Sequence, residues 1–493
     1  MGEYLSKGLS QYVGLLSESQ GIQRPLLVAP ERAVVKRFYP PLLLLIALTS
    51  FCPRRRPGED PEFDTLTGLE PLFRAFVSKI AFLCCTEVGG AAISACAVLQ
   101  LPDCVQYVIG FNEQGPARCE EIQASITSIL HMFSVVPPPH SPEREGLRIQ
   151  ALYASLELCK KRVNGYMRSL KVHLQECIEA CERESTQEGE LTKNELSHIL
   201  GLLEACFDTC HSEKVGLMET VATIWPQLFS DIQICMIESS SPVSDVLPTN
   251  PWTAAEIMNR MSSDESLLHL FATQLDSLSV HDIDSKVSEL WSHAPKPVVH
   301  AEVLLHDWLE NSEGGIRPER FFNRWKFIGS SKPPCKLCSY FFDEYPTDVQ
   351  VRPSHQNAYF AWRMPDVYAH QGKKSTHKRK LVMESIKTRI RADVVRMLSE
   401  KLADGRPHDS SAYISLWRGT TSGPRNDTVS LEETAQLLES CTLATTQEQG
   451  AKDGESAEGV TEVLDENNEE EILFKGRSAV RKTVQNRQEG RDL

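Results

Sequence analysis

Apolar residues recur at helical spacing at Leu72, Phe76, Ile80 and Leu83, which predicts a helix over residues 69–85. Gly89-Gly90 punctuates it. Two β-rich runs follow, residues 92–101 and 105–112, separated by Pro102-Asp103-Cys104, and this order of run, turn and run predicts a β-hairpin. From residue 115 to 293 the pattern turns helical, with helices expected over 118–133, 147–183, 191–211, 218–236, 251–277 and 283–293. Asn250 before Pro251 reads as a helix start, an Asn cap followed by a residue whose φ is already helical. Shorter elements return after Pro295. A helix starts at His300, a strand covers 327–330, a second helix starts at Cys335 and a strand covers 349–352. The aromatic run Tyr359, Phe360, Trp362 and a long amphipathic helix over 378–402 close the block.

The rest of the chain reads as irregular. Residues 1–65 form a lead-in whose apolar run, 42–52, lies between Pro40-Pro41 and the proline-rich Pro53-Arg54-Arg55-Arg56-Pro57. That run has eleven residues where a bilayer-spanning helix needs about 20, so no membrane insertion is expected. It also starts too far into the chain for a secretory signal. Between Glu448 and Glu471 there are ten acidic residues, one Lys and no aromatic, a composition expected to stay disordered. The expected division is a lead-in (1–65), a first α/β segment (66–114), a helical insertion (115–293), a second α/β segment (294–418) and an acidic tail (419–493).

With 493 residues, 41% of them hydrophobic, the chain has ample material for two or three domains. Its 52 Lys and Arg against 67 Asp and Glu give a net charge of -15, which argues against coating nucleic acid by bulk charge. Fifteen cysteines are too sparse for a small disulfide scaffold, and a reducing cytosolic or nuclear compartment is expected.

The chemistry concentrates in His300-Ala301-Glu302 and Pro334-Cys335-Lys336-Leu337-Cys338. Zinc takes imidazole nitrogen and thiolate sulfur in tetrahedral geometry, and a catalytic site keeps one position open. His300, Cys335 and Cys338 supply three ligands. Glu302 is not needed as a fourth and is free to move protons. The order H-x-E then P-C-x-x-C is a signature of zinc-dependent deaminases. The alternative is a closed structural zinc, which needs a further protein ligand such as His306 or His355. A metalloprotease is excluded, because no H-E-x-x-H occurs.

On these residues the chain resembles the cytidine-deaminase-like superfamily, and within it a toxin-like branch found widely in fungi. The resemblance runs from Pro71 to Asn112, through Tyr107-Val108-Ile109-Gly110-Phe111-Asn112, and resumes from His300 to about Leu402. The second stretch includes Ile328-Gly329-Ser330-Ser331-Lys332-Pro333-Pro334-Cys335 and Ser354-His355-Gln356-Asn357, then Trp362-Arg363-Met364-Pro365. It implies an α/β three-layer deaminase-like fold with zinc on His300, Cys335 and Cys338 and Glu302 as proton shuttle. Asn112 would stand where superfamily members place a substrate-contacting Asn, and His355 near the zinc cleft. The implied activity is hydrolytic deamination of a nucleobase, free or within nucleic acid. The departure from compact members is the 187 residues between Asn112 and His300.

Three further features carry weaker expectations. Cys177/Cys181 and Cys206/Cys210 are helical i, i+4 pairs that suit either a second metal site or a packed helix seam. Between Lys373 and Arg396 nine basic residues face two acidic ones, which suits a nucleic-acid contact or a solvated helix face. Tyr359, Phe360 and Trp362 suit base stacking or, more simply, packing. The rival to an enzyme is a catalytically silent protein whose zinc staples the fold and whose helical insertion binds a protein partner.

Overall fold

The computed structural model describes residues 26–54, 68–184, 213–279 and 282–405. Five strands, β1 (Ser94–Gln100), β2 (Val105–Phe111), β3 (Ile232–Met236), β4 (Phe327–Ser330) and β5 (Gln350–Val351), form one mixed sheet in the order β3-β2-β1-β4-β5. The hairpin of β1 and β2 pairs from Ser94 with Phe111 to Gln100 with Val105. Strand β4 runs antiparallel to β1, with Ala95 opposite Ser330 and Cys96 opposite Gly329. The outer strands β3 and β5 are parallel to their neighbours.

Around the sheet are the helices α1 (Arg32–Thr49), α2 (Leu69–Cys84), α3 (Pro116–Met132), α4 (Pro142–Leu158) and α5 (Lys160–Glu184). Further along are α6 (Glu213–Ile224), α7 (Ala254–Met261), α8 (Glu265–Ser279), α9 (Ile283–Ser292), α10 (Ala301–Asn311), α11 (Lys336–Glu344) and α12 (Gly372–Glu400). Side chains alternate across a strand, and the two faces of the sheet take different helices. Ala95, Ala97, Leu99, Val108 and Ile328 form one core with Ala301, Leu305 and Leu309 of α10. On the other face α2 lies so close to β4 that a Cβ at Gly329 would stand 2.7 Å from the Ser78 nitrogen. There Phe76 packs its ring on Tyr107 at 6.4 Å and on Phe229 at 5.6 Å. Burying each such side chain stabilises the fold by roughly 1.5–3 kcal/mol.

The structure corrects the expected organisation in four places. Residues 1–65 are not wholly irregular, because α1 forms there despite Pro40 and Pro41 in its interior. Phe38, Leu42, Leu43, Leu44 and Leu45 are all buried, and that burial offsets the hydrogen bonds two prolines remove. The block 115–293 is not purely helical. Pro226 follows the end of α6, and Ile232–Met236, expected to continue a helix, is instead the edge strand beside β2. The single helix expected over 147–183 is two, α4 and α5, meeting at Cys159. The start expected at Asn250 falls at Thr253, whose hydroxyl and the Glu256 carboxylate form a reciprocal capping box. The helix expected over 191–211, the Cys206/Cys210 pair and the acidic tail lie outside the described residues, and for Cys177 and Cys181 only the helical backbone of α5 is described, so the metal reading of the pairs is not reached. No described helix is long and apolar enough to cross a membrane.

Candidate metal centre

His300 is the cap residue of α10, with extended backbone at ψ 149. Its side chain makes no capping bond. A different residue does that work: the Ala301 N–H donates to Asn112 Oδ1 at 2.7 Å, across 189 residues of chain. The Asn112 amide in turn donates to the Gly90 carbonyl at 2.8 Å. The imidazole is thereby left for other chemistry, and Glu302 enters the first turn of the same helix, where negative charge is favoured.

Cys335 is likewise the cap residue of α11, but here the side chain itself does the capping, its sulfur accepting the Cys338 N–H at 3.4 Å. The two helix starts converge. His300 Nδ1 lies 3.5 Å from Cys335 Sγ and 3.4 Å from Cys338 Sγ, and the sulfurs are 3.6 Å apart. Tetrahedral zinc with Zn–S near 2.3 Å and Zn–N near 2.0–2.1 Å requires about 3.8 Å between sulfurs and about 3.6 Å from nitrogen to sulfur. The donor set therefore fits the ion in both identity and spacing. These three are the group of side chains among the described residues able to hold a metal.

Glu302 Oε2 stands 3.8 Å from Cys338 Sγ, beside the three donors. Every one of the four groups is under a tenth exposed. Burial raises the Glu302 carboxyl above its ordinary range, partly opposed by the His300 imidazole and by the Ser330 hydroxyl. Burial also works against ionising Cys335, yet the bond with Cys338 and the imidazole outweigh it and hold that thiol well below its usual value. Cys338 moves the other way, pushed up by burial and by Cys335. Buried polar groups are arranged here to hold charge that bulk protein would reject.

The remaining expected site residues are placed as follows. His355 is buried, its backbone N–H donating to the Pro334 carbonyl at 3.2 Å and its Nδ1 accepting from Asn357. It stands beside the Cys335 step without joining the donor cluster. His306 is elsewhere: its Nε2 meets Thr347 Oγ1 at 2.9 Å and its ring packs among Phe341, Phe342 and Tyr345. Neither supplies a fourth ligand. The basic residues of α12 are largely committed within the chain. Lys378 pairs with Glu310 at 2.7 Å, Lys380 with Glu31 at 2.7 Å and Arg389 with Asp343 at 2.6 Å, while Arg379 donates to the Val28 carbonyl. Phe360 and Trp362 are buried against Tyr39 and Phe38, so both act in packing.

For three residues the sequence did not reveal the role the structure gives them. Ser330 sits on the α10 face of β4 and its hydroxyl bears on Glu302; its register with Ile328 was a readable signal. Lys336, between the two cysteines, is buried on Asp393 at 3.1 Å and Asp404 at 2.8 Å. Trp362 bridges to Val298, two residues before His300. No local pattern marks either of the last two.

A family model described as "OTT_1508_deam:-like deaminase" matches residues 299–366, the stretch that carries His300, Glu302, Cys335 and Cys338. No curated protein and no solved structure matches the chain.

Proposed function

We propose that the chain is a zinc-dependent deaminase that hydrolyses the exocyclic amine of a nucleobase. The observation that carries this reading is the buried Glu302 carboxylate 3.8 Å from a sulfur of a three-donor cluster, where a structural zinc site would offer four protein ligands. The deaminase-family match over 299–366 supports the same class. The resemblance of residues 71–112 supports a domain assembled from two segments and, more finely, the toxin-like fungal branch.

In this reading His300 Nδ1 and the Cys335 and Cys338 sulfurs hold the ion. Zinc supplies Lewis acidity that brings the pKa of water down toward neutrality. Glu302 removes a proton from the attacking water and delivers it to the ring nitrogen beside the amine-bearing carbon. The carbon–oxygen bond forms, the carbon–nitrogen bond breaks, and a second proton passed by Glu302 leaves with ammonia. Asn112 holds the first turn of α10, so that His300 and Glu302 keep one geometry. His355, whose backbone N–H donates to the Pro334 carbonyl, would stand near the substrate as the resemblance implies.

The test is ammonia release by purified protein from nucleosides, nucleotides and single-stranded oligonucleotides bearing cytosine or adenine. Glu302→Gln is expected to lower turnover by about 10²–10⁴-fold while zinc stays bound. Turnover surviving that substitution removes Glu302 from its role. Inactivity of the zinc-loaded wild type on all three classes favours a silent, partner-binding protein.

A further inference from the structure

Arg162, in the first turn of α5, is 1% exposed, and no carboxylate among the described residues pairs with it. A guanidinium stays charged throughout the pH range of a folded protein, and a charge taken out of water needs a counter-charge. Most of its contacts are neutral. Nη1 donates to the Phe82 carbonyl at 2.8 Å and to the Cys85 carbonyl, both at the C-terminal end of α2, and the guanidinium carbon stands 4.0 Å from the centre of the Phe82 ring. Nε has no partner. Nη2 meets Cys159 Sγ at 3.4 Å.

Cys159 is the ionisable group placed to supply the counter-charge. It stands where α4 and α5 join: its N–H donates to the Ser155 carbonyl, closing α4, and its carbonyl accepts the Val163 N–H, opening α5, both at 3.0 Å. The negative end of one helix and the positive end of the next meet there, so their fields oppose each other. The guanidinium therefore decides, and a neighbouring arginine favours thiolate over thiol. The other titratable groups around the pair are the thiols of Cys84, Cys85, Cys96 and Cys119 and the Tyr166 hydroxyl. Burial and the surrounding cysteines push the Cys84 thiol up. The Cys85 sulfur has the Glu87 carbonyl at 3.7 Å to accept its proton. Cys159 has such a carbonyl too, that of Leu83 at 3.7 Å, and in addition receives the guanidinium at the shorter distance. The Glu87 carboxylate is taken by Lys161 at 3.0 Å and Arg118 at 3.9 Å.

We propose that Cys159 and Arg162 form a buried thiolate–guanidinium pair and that Cys159 is a site of oxidation by small hydroperoxides. The sulfur attacks one oxygen of hydrogen peroxide. A sulfur–oxygen bond forms as the oxygen–oxygen bond breaks, leaving the hydroxyl on sulfur as a sulfenic acid and releasing hydroxide, which takes a proton from solvent. Sulfur loses two electrons and the peroxide gains them. At 1% exposure Cys159 excludes bulky reagents, whereas hydrogen peroxide is little larger than water, and the exposed Lys160 places solvent one residue away.

The experiment treats the full-length protein with hydrogen peroxide, quenches with catalase, then unfolds and alkylates it. Peptide mass spectrometry reads every oxidised form as loss of the free Cys159 thiol. A thiol of ordinary acidity is only about 3% ionised at pH 7, so Cys159 is expected to be lost at least about 30-fold faster than Cys84 and Cys96, which are as deeply buried. Arg162→Gln is expected to slow the Cys159 reaction by about 30-fold. Should that variant fail to fold, the wild-type pH profile decides. A rate that stays level from pH 6 to pH 8 supports the pair, and one that rises about tenfold per pH unit shows a neutral thiol and overturns it. Loss at Cys159 no faster than at Cys84 and Cys96 overturns the oxidation site, and an unchanged rate in folded Arg162→Gln overturns the role of the guanidinium.

Discussion

Asn112 Oδ1 accepts the Ala301 N–H at 2.7 Å, so the helix that carries His300 and Glu302 is capped by the end of a strand 189 residues earlier in the chain. A helix start leaves its first amides without internal partners. Here His300 holds the cap position but its side chain makes no capping bond, its Nδ1 lying against the Cys335 and Cys338 sulfurs. Asn112 supplies the missing acceptor from outside the helix.

Asn112→Ala is therefore expected to lower folding stability by about 1–2 kcal/mol, the worth of a lost cap, and to weaken zinc binding with it. Chemical denaturation and a zinc competition titration measure both. If turnover falls while stability and zinc affinity hold, Asn112 serves the substrate and not the helix.

Lys336 is 3% exposed at its side chain and is pinned by Asp393 and Asp404, with Arg396 and the Tyr340 hydroxyl completing the cluster. Removing one partner of a buried ion cluster strands the others. Lys336→Met is expected to destabilise by about 3 kcal/mol, and to weaken zinc binding, because the residue lies between both cysteine ligands. A denaturant midpoint unchanged from wild type would mean that Arg396 alone satisfies both carboxylates.

The parts of this architecture that a reader of the sequence can find are those whose signals are local. The period of Phe76 and Ile80 marks α2, the short run at Phe327 and Ile328 marks β4, and the two cysteines after Pro334 mark α11 and its ligands together. The hidden parts depend on partners far away in the chain. Nothing near Pro40 shows that α1 will pack on α12, which lies more than 300 residues on. Ile232, Ile234 and Met236 read as either helix or strand until the free edge of β2 is known. Trp362 gains its meaning only from Val298. Of the candidate site, the grouping of His300, Cys335 and Cys338 was legible and its supports were not, because the spacing of donor residues is local while support is tertiary packing.

Gly329 measures how tightly α2 is seated. A Cβ there would stand 2.7 Å from the Ser78 nitrogen and 2.8 Å from the Val77 carbonyl carbon, both backbone atoms that no side-chain rotation can move aside. Gly to Ala in a strand interior ordinarily stabilises by roughly 0.5–1 kcal/mol. At this position the sign reverses: Gly329→Ala is expected to cost about 2 kcal/mol by overpacking. A melting temperature at or above that of wild type would show that α2 can shift without penalty.

His306 offers a pH test away from the metal. Burial pushes its imidazole down to about 4, with Lys378 and Lys326 adding to the effect and Glu310 opposing it. The folded protein thus keeps His306 neutral where the unfolded chain protonates it near pH 6.5. Between those values the unfolded state binds more protons, so this residue's contribution to stability falls as pH drops and is fully lost below about 4. Asp307, pushed up to about 7 by burial and by Glu310 and Asp366, binds its proton in the folded state over the same range and acts in the opposite sense. The wild-type profile alone is accordingly shallow, and the comparison with His306→Gln, which keeps Asp307, isolates the histidine. The stability difference between wild type and variant is expected to shift by up to about 3 kcal/mol in the variant's favour from pH 7 to pH 4. Urea denaturation at half-unit steps measures it, and a difference that stays constant across that range would place the His306 ring in contact with water.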